Sequence, residues 1–418
     1  MSNKNKVVVT GMGVISPSGN NVAAFYNNLT NGKNAIDYIT QFDTSQNKVK
    51  VGAEVKDFNT DNYFEKKDAK RMDRYCQFAV SAAIEAINTS GVLVADFDEY
   101  RCGVIVGSGV GGMNTYETEH IKFMEKGAGR VSALFIPMMI SNMAAGMISM
   151  RFGFKGANYC TVSACASGSH AIGEAFRLIK NGYLDIAITG GSEAAITPFA
   201  MAGFTNMKAL STSNDPNAAS LPFDKRRQGF VMGEGAGILI LESEKSAIAR
   251  NAQIFAEISG YGATADAYHI TGPDPDGTSA ARAMTDAINE AGISPKQVDY
   301  INAHGTGTPL NDLYETIAIK KALGSHAYNT NISSTKSMTG HLLGAAGAIE
   351  SIACIMTIKH GIIPPTINYL QPDEGIDLNY TANKNEKKQV SYALSNSLGF
   401  GGHNASLVFE KYERTVGL

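Results

Sequence analysis

Short apolar, β-branched runs bounded by glycine recur along the chain, at 7–10, 102–106, 186–189, 238–241, 256–259, 300–302, 392–395 and 406–409. Runs of this length and composition predict buried strands. Between them lie longer stretches in which apolar residues return every three or four positions, at 74–87, 167–180, 278–290 and 345–358. That spacing places the apolar residues on one face of a helix. Strands alternating with such helices predict an α/β fold. The most membrane-like stretch, 135–150, contains Ser141, Asn142 and Ser149. It is too short to span a bilayer, so a helix buried in protein is expected there, with a subunit contact as one place for it.

A weak internal repeat overlies this alternation. Val7-Val8-Val9-Thr10-Gly11-Met12-Gly13 opens the chain, and Ala256-Glu257-Ile258-Ser259-Gly260-Tyr261-Gly262 opens its later part. The first part closes with 186–192 and 235–242, the second with 392–399 and 403–410. Each closing pair reads as strand, glycine-rich loop, strand. Two similar packed halves are therefore expected, 1–253 and 254–418, with a site between them. Only 245–253 separates them, without a Pro/Ser linker, so one rigid body is expected.

Composition narrows the class. The 418 residues are 44% hydrophobic and 18% charged, which excludes a mostly disordered chain. A net charge of −3 lacks the basic surplus of a nucleic-acid binder. Five cysteines (Cys76, Cys102, Cys160, Cys165 and Cys354) form no C-x-x-C pair, which points to a reducing cytoplasm rather than a disulfide framework. Residues 1–6 are polar, with no apolar leader. The charged run at 384–388 reads as a solvated loop. The denser run at 65–74 reads as an exposed helix start, or as a basic seat for an acidic partner.

Four motifs carry chemistry. A fifth, Gly107-Ser108-Gly109-Val110-Gly111-Gly112, matches G-x-G-x-x-G, but no strand ending in an acid follows about 20 residues on, as dinucleotide binding requires. It reads instead as a turn that shapes a pocket. The first of the four, Thr161-Val162-Ser163-Ala164-Cys165-Ala166-Ser167-Gly168-Ser169-His170, sets a cysteine among small residues where a helix begins. A helix N-terminus favours thiolate over thiol, and small neighbours admit a substrate. The other four cysteines have apolar or aromatic neighbours and read as packing. The next two are glycine- and threonine-rich histidine segments, His304-Gly305-Thr306-Gly307-Thr308 and Lys336-Ser337-Met338-Thr339-Gly340-His341. A Cys/His/His zinc site lacks the local spacing of structural zinc, and no metal is required. In the last motif, Gly399-Phe400-Gly401-Gly402, glycines around an aromatic let backbone N–H groups face a cavity, which suits an oxyanion hole with a phenyl door.

Together the four motifs resemble the β-ketoacyl-[acyl carrier protein] synthases of the thiolase superfamily, in that family's order and over nearly the whole chain, from Val7 to Glu410. The N-A-H-G-T-G-T-P-L-N-D form around His304 is similar to the synthase II branch more than to synthase I. His403 stands where many members carry threonine. The resemblance implies a thiolase-like α/β fold of five α-β-α-β-α layers built from two similar halves, and a homodimer. It implies that Cys165 takes an acyl group from acyl carrier protein as a thioester. Malonyl-[acyl carrier protein] then loses CO2, and its carbanion attacks to give a 3-oxoacyl product two carbons longer.

By the same likeness, His304 and His341 stabilise the enolate, and the N–H groups of Cys165 and Phe400 hold the oxyanion. Lys336, Glu350 and Asp312 form a supporting network. Thr306 and Thr308 hold the pantetheine arm. Val110, Phe204, Gly399 and Gly401 complete the substrate site. Lys67, Lys70, Arg71, Arg130 and Lys208 form a landing patch for the acidic carrier protein. No cofactor is implied beyond the phosphopantetheine that substrates carry. Some relatives hold a monovalent cation near positions matching Asn302, Glu350 and Asn396. No membrane insertion is expected. The alternatives share much of this chemistry: a thiolase, a polyketide ketosynthase, a non-elongating thiolase-fold acyltransferase, or a non-catalytic chain-length partner. A thiolase normally has a second late cysteine, and Cys354 sits in an apolar helix pattern. The chain-length partner usually lacks a cysteine at the position of Cys165.

Overall fold

Strands β1 (Val7–Ile15), β2 (Cys102–Gly107), β3 (Asn158–Tyr159), β4 (Ile186–Glu193) and β5 (Gly235–Ser243) belong to the first half of the chain. Strands β6 (Ala256–Ala265), β7 (Tyr300–Asn302), β8 (Asn331–Ser333), β9 (Tyr392–Gly399) and β10 (His403–Glu410) belong to the second. This computed structural model describes residues 4–414, so residues 1–3 of the polar lead-in lie outside the described residues. The strands run in the order β3-β2-β4-β5-β1-β6-β10-β9-β7-β8. In the first half β1–β5 and β5–β4 are antiparallel, while β4–β2 and β2–β3 are parallel. The second half repeats this through β6–β10, β10–β9, β9–β7 and β7–β8. The halves meet where Val7, Val8 and Val9 of β1 pair with Ile258, Glu257 and Ala256 of β6.

Five helices complete the layers. Helix α1 (Arg74–Ser90) covers the outer face of β1, β5 and β4. Helices α2 (Ser167–Lys180) and α5 (Ala346–His360) touch each other between the two half-sheets. Helices α3 (Thr278–Glu290) and α4 (Pro309–Leu323) cover the outer face of the second half. This is the expected order α-β-α-β-α. The central core joins Ile172 and Phe176 of α2 to Ile349 and Ile352 of α5, with Leu239 and Leu407 from the two half-sheets. The outer cores set Phe78 and Ala82 against Val104 and Ile188, and Met284 and Ile319 against Ile301 and Leu394.

The glycine repeat has a packing cause. A Cβ on Gly13 would lie 1.9 Å from Ala82 O, and one on Gly262 would lie 1.9 Å from Ala283 O. Gly11 and Gly260 make the same approach, at 2.2 Å from Ala86 O and 2.0 Å from Ala287 O. Alternate residues of a strand share a face, so both glycines face the helix backbone above them. Each half thus seats its outer helix directly on its opening strand.

Two segments differ from expectation. The 135–150 stretch is two helices, Phe135–Met139 and Met143–Phe152, rather than one. At the break Gly112 N donates to Met139 O at 2.8 Å, and Tyr75 Oη donates to Ile140 O at 2.6 Å. Nor is it wholly buried: Ala144, Ala145 and Ile148 are in the core, but Ile136 and Met150 are exposed. The 384–388 run is not all loop. Glu386–Lys387 pairs with Ile362–Ile363, and Lys388 Nζ donates to Asn331 Oδ1 at 2.9 Å. Among the described residues no helix is long and apolar enough to cross a membrane.

Gly13→Ala and Gly262→Ala should each destabilise the fold by about 1–3 kcal/mol or more, because the added methyl meets helix backbone. Denaturant unfolding checks this, and unchanged midpoints would refute the seating argument.

Candidate active site

The chain leaves β3 and reaches α2 through one tight turn, Ala164–Ala166, with Cys165 at its centre. Ala164 has φ +50°, a left-handed conformation that a residue with a Cβ adopts only when its surroundings impose it. Hydroxyls impose it here. Ser167 Oγ donates to Ala164 O at 2.7 Å and accepts from Ser163 N at 2.9 Å, while Thr161 Oγ1 donates to Ser167 O at 2.8 Å. The second half repeats the elbow. Leu343 has φ +48° in the turn Leu343–Ala345 that leads into α5, so Gly344 occupies the place matching Cys165.

Cys165, His304 and His341 converge: one donor atom from each lies within 4.8 Å of the others, and all three residues are buried. His304 follows β7, and its ring meets that of His341 edge to face at 5.3 Å between centroids. His341 N donates to Val231 O at 2.7 Å, and Phe230 packs edge-on against its ring at 5.0 Å. Lys336 is buried beside them and pairs with Glu350 of α5, itself buried. Burial, then the Lys336 charge, holds both imidazoles well below the ordinary histidine range; His341 adds to the effect on His304. Both rings are therefore neutral at pH 7.

Burial also works against the helix start's preference for thiolate. It pushes the Cys165 thiol up to about 12, with the Glu193 carboxyl adding to the rise and Lys336 and two backbone N–H groups opposing it. Those two groups belong to Phe400 and to Cys165 itself. Phe400, Gly401 and Gly402 form the loop of a hairpin in which Gly399 pairs with His403. Gly401 and Gly402 have φ +88° and +76°, which only glycine adopts freely. A Cβ on Gly399 would lie 2.7 Å from Ser163 O, so the hairpin presses on the elbow.

Buried carboxylates hold the loops. Asp312, at the start of α4, accepts from Phe223 N at 2.7 Å and from Gly307 N at 3.1 Å. Glu315, one turn later, accepts from His304 N at 2.8 Å and Gly305 N at 2.7 Å. Burial raises the Glu315 carboxyl to about 7. Glu193 accepts from Gly109 N, Val110 N and Ser108 Oγ in the glycine turn, which packs on the Cys165 elbow without lining the cavity expected of it. The sequence reading missed Glu193 and Glu315. Their signals were a charged residue closing a buried strand, and a second acid three positions after Asp312.

A cavity of about 740 Å³ opens onto Cys165, His304, His341, Phe400, Thr306 and Thr308, with Lys208 also in its wall. Thr306 Oγ1 and Thr308 Oγ1 lie 3.0 Å apart. Phe204 packs on Phe230, at 5.8 Å, within an apolar cluster that includes Cys165. Val110 is 38% exposed on its turn and does not line this cavity. Lys67, Lys70, Arg71, Arg130 and Lys208 are all exposed, and among the described residues none forms an ion pair. Arg74, from the same charged run, is instead structural: it grips Glu234 with two bonds of 2.9 and 2.7 Å. Asn302 Oδ1 and Glu350 Oε2 are buried without a hydrogen-bond partner, while Asn396 Oδ1 accepts from Ser406 Oγ at 2.8 Å.

A nucleophile elbow facing two histidines between repeated α/β halves defines a thiolase-like condensing site. The family model for the Beta-ketoacyl synthase N-terminal domain matches residues 4–247, and that for the C-terminal domain matches residues 255–370. The chain belongs to the beta-ketoacyl synthase family. It is 52% identical over 411 residues to the 3-oxoacyl-[acyl-carrier-protein] synthase 2 of Synechocystis sp., covering 98% of this chain and 99% of that protein. It is 51% identical over 413 residues to the protein of the same name from Staphylococcus aureus, covering 99% and 100%. Among solved structures, a beta-ketoacyl synthase from Burkholderia phymatum superposes with a TM-score of 0.91 at 33% identity, covering 98% of this chain and all (100%) of that one. A type II polyketide ketosynthase solved with its acyl-carrier protein gives 0.90 at 34%, with the same coverage.

Alkylation of Cys165 by iodoacetamide should keep rising, about tenfold per pH unit, from pH 7 through 10, because only thiolate reacts. Peptide mass spectrometry reads the rate. A plateau near the ordinary thiol value of about 8.5 would contradict the effect of burial.

Proposed function

We infer that this chain is a 3-oxoacyl-[acyl carrier protein] synthase that elongates fatty acids by decarboxylative condensation. The observation that carries the reading is the convergence of Cys165, His304 and His341 in one buried cluster that opens onto the cavity. In the first step the Cys165 sulfur attacks the acyl thioester of the carrier protein. A new C–S bond forms, the pantetheine C–S bond breaks, and the thiol proton passes to the departing sulfur. The Cys165 and Phe400 N–H groups hold the oxyanion; losing one such donor typically costs about 100- to 1,000-fold. In the second step the malonyl C–C bond breaks, CO2 leaves and an enolate forms. Neutral His304 and His341 donate N–H bonds to its oxygen. The enolate carbon then attacks the acyl-cysteine, and the Cys165 sulfur leaves as thiolate and takes one proton from water in the cavity.

Storing the acyl group on sulfur divides one hard condensation into two easier steps. Lys336 and Glu350 fix the charge beside the histidines, while Asp312 steadies the His304 loop. A monovalent cation near Asn302, Glu350 and Asn396 would answer the two unpartnered buried oxygens.

Acyl carrier protein is the partner, delivering both substrates on phosphopantetheine, with Thr306 and Thr308 along its path and Gly399 and Gly401 shaping the mouth. The five exposed cations without ion pairs suit its acidic surface. Two copies associate through β3, an edge strand paired on one side only, and the exposed apolar Ile136, Met150 and Val162 beside it. Five cysteines without disulfides suit the cytoplasm. The fatty-acid reading stands above the polyketide one because the 51–52% relatives carry the synthase 2 name, against 34–35% for the polyketide ketosynthases.

Cys165→Ala should abolish condensation, and product formation at the wild-type rate would overturn the reading. His341→Ala should slow malonyl decarboxylation more than acyl loading; equal losses would remove its assigned role. Reversing Lys67, Lys70 and Arg71 to glutamate should raise KM for acyl-[acyl carrier protein] at low salt. An unchanged KM would leave those residues as ordinary surface.

A further inference from the structure

Glu193 closes β4 with 0% exposure, and it fastens the glycine turn to the elbow of the second half. Its Oε1 accepts from Ser108 Oγ at 3.0 Å and Val110 N at 3.2 Å. Its Oε2 accepts from Gly109 N at 2.7 Å and from Gly344 N at 3.0 Å. Ser108 Oγ accepts in turn from Gly111 N at 3.1 Å. The turn is thus fastened residue by residue, and the same carboxylate reaches across to the elbow of the second half. Two glycines make room for it: a Cβ on Gly109 would lie 2.9 Å from Oε2, and one on Gly344 would lie 2.8 Å away. The Gly109 Cβ would also lie 3.4 Å from Ala164 O, so the turn rests on the Cys165 elbow.

We propose that Glu193 is a positioning residue for acyl loading: it holds the 108–111 turn and the second elbow against the Cys165 elbow and so fixes where the Cys165 sulfur stands. This rests on the condensing reading above. Four donors and no acceptor face the carboxyl group, so the ionised form satisfies them all although burial pushes its pKa up. Each oxygen takes two of the donors. A glutamine turned either way therefore sets its amino group against a backbone N–H, and the turn must shift. The malonyl step depends on His304 and His341, whose hydrogen bonds lie with Glu315 and Val231, not with Glu193.

The test uses the full-length Glu193→Gln and Gly109→Ala variants, each first shown to be folded by thermal unfolding. Gly109→Ala presses a methyl on the same carboxylate oxygen without changing charge, and it serves alone if the glutamine variant does not fold. Acyl loading of Cys165 is followed by intact mass with hexanoyl- and tetradecanoyl-[acyl carrier protein]. Malonyl decarboxylation is followed by CO2 release. Loading should fall about 10- to 100-fold with both donors, while decarboxylation stays within about threefold, as expected for misplacement on the order of 1 Å at one partner only. Equal falls in both half-reactions, or undiminished loading, would overturn the proposal. A wild-type enzyme that takes up no acyl group would instead refute the condensing reading itself.

Discussion

Taking a thiol, two imidazoles and one ammonium out of water together is the constraint on which this site depends. Desolvation disfavours every charged form, so Cys165 stays a thiol and His304 and His341 stay neutral. Lys336 lies buried beside them and pairs with Glu350. Removing one partner from such a buried pair typically costs about 3–5 kcal/mol, so the pair is as much a requirement of the fold as of the site. A neutral imidazole still offers one N–H donor and takes up no proton to do so.

The irregular backbone around these groups raises a second demand, because buried N–H groups need acceptors. The molecule answers with carboxylates rather than with more secondary structure. Asp312, Glu315 and Glu193 together accept from the loops at 107–112, 304–307 and 344. Each acid sits on a regular element, β4 or α4, and reaches out to a loop. The repeated half-sheets supply that rigid frame, and the two elbows meet where the halves touch.

Much of this was legible in the sequence. The glycine repeats could be read because each glycine answers a close backbone contact, as Gly13 and Gly262 do beneath their helices. The small residues around Cys165 betrayed the elbow, and the loop histidines betrayed the site. The rest depends on distance in sequence. Strands β3 and β8 are only two and three residues long, too short to show a period. Glu193 and Glu315 bond to backbone groups, which leave no side-chain signature. The helix start beside Cys165 is legible locally, whereas its burial involves partners at 304, 341 and 400. No local pattern encodes that.

Intact mass of the enzyme, first with acyl-[acyl carrier protein] and then with malonyl-[acyl carrier protein], tests the central claim most directly. The account predicts one acyl adduct, located on Cys165, that persists until the malonyl donor discharges it with release of CO2. An adduct discharged by coenzyme A alone would indicate a thiolase. No adduct from any carrier-bound or coenzyme A thioester would contradict the account and leave Cys165 a structural residue.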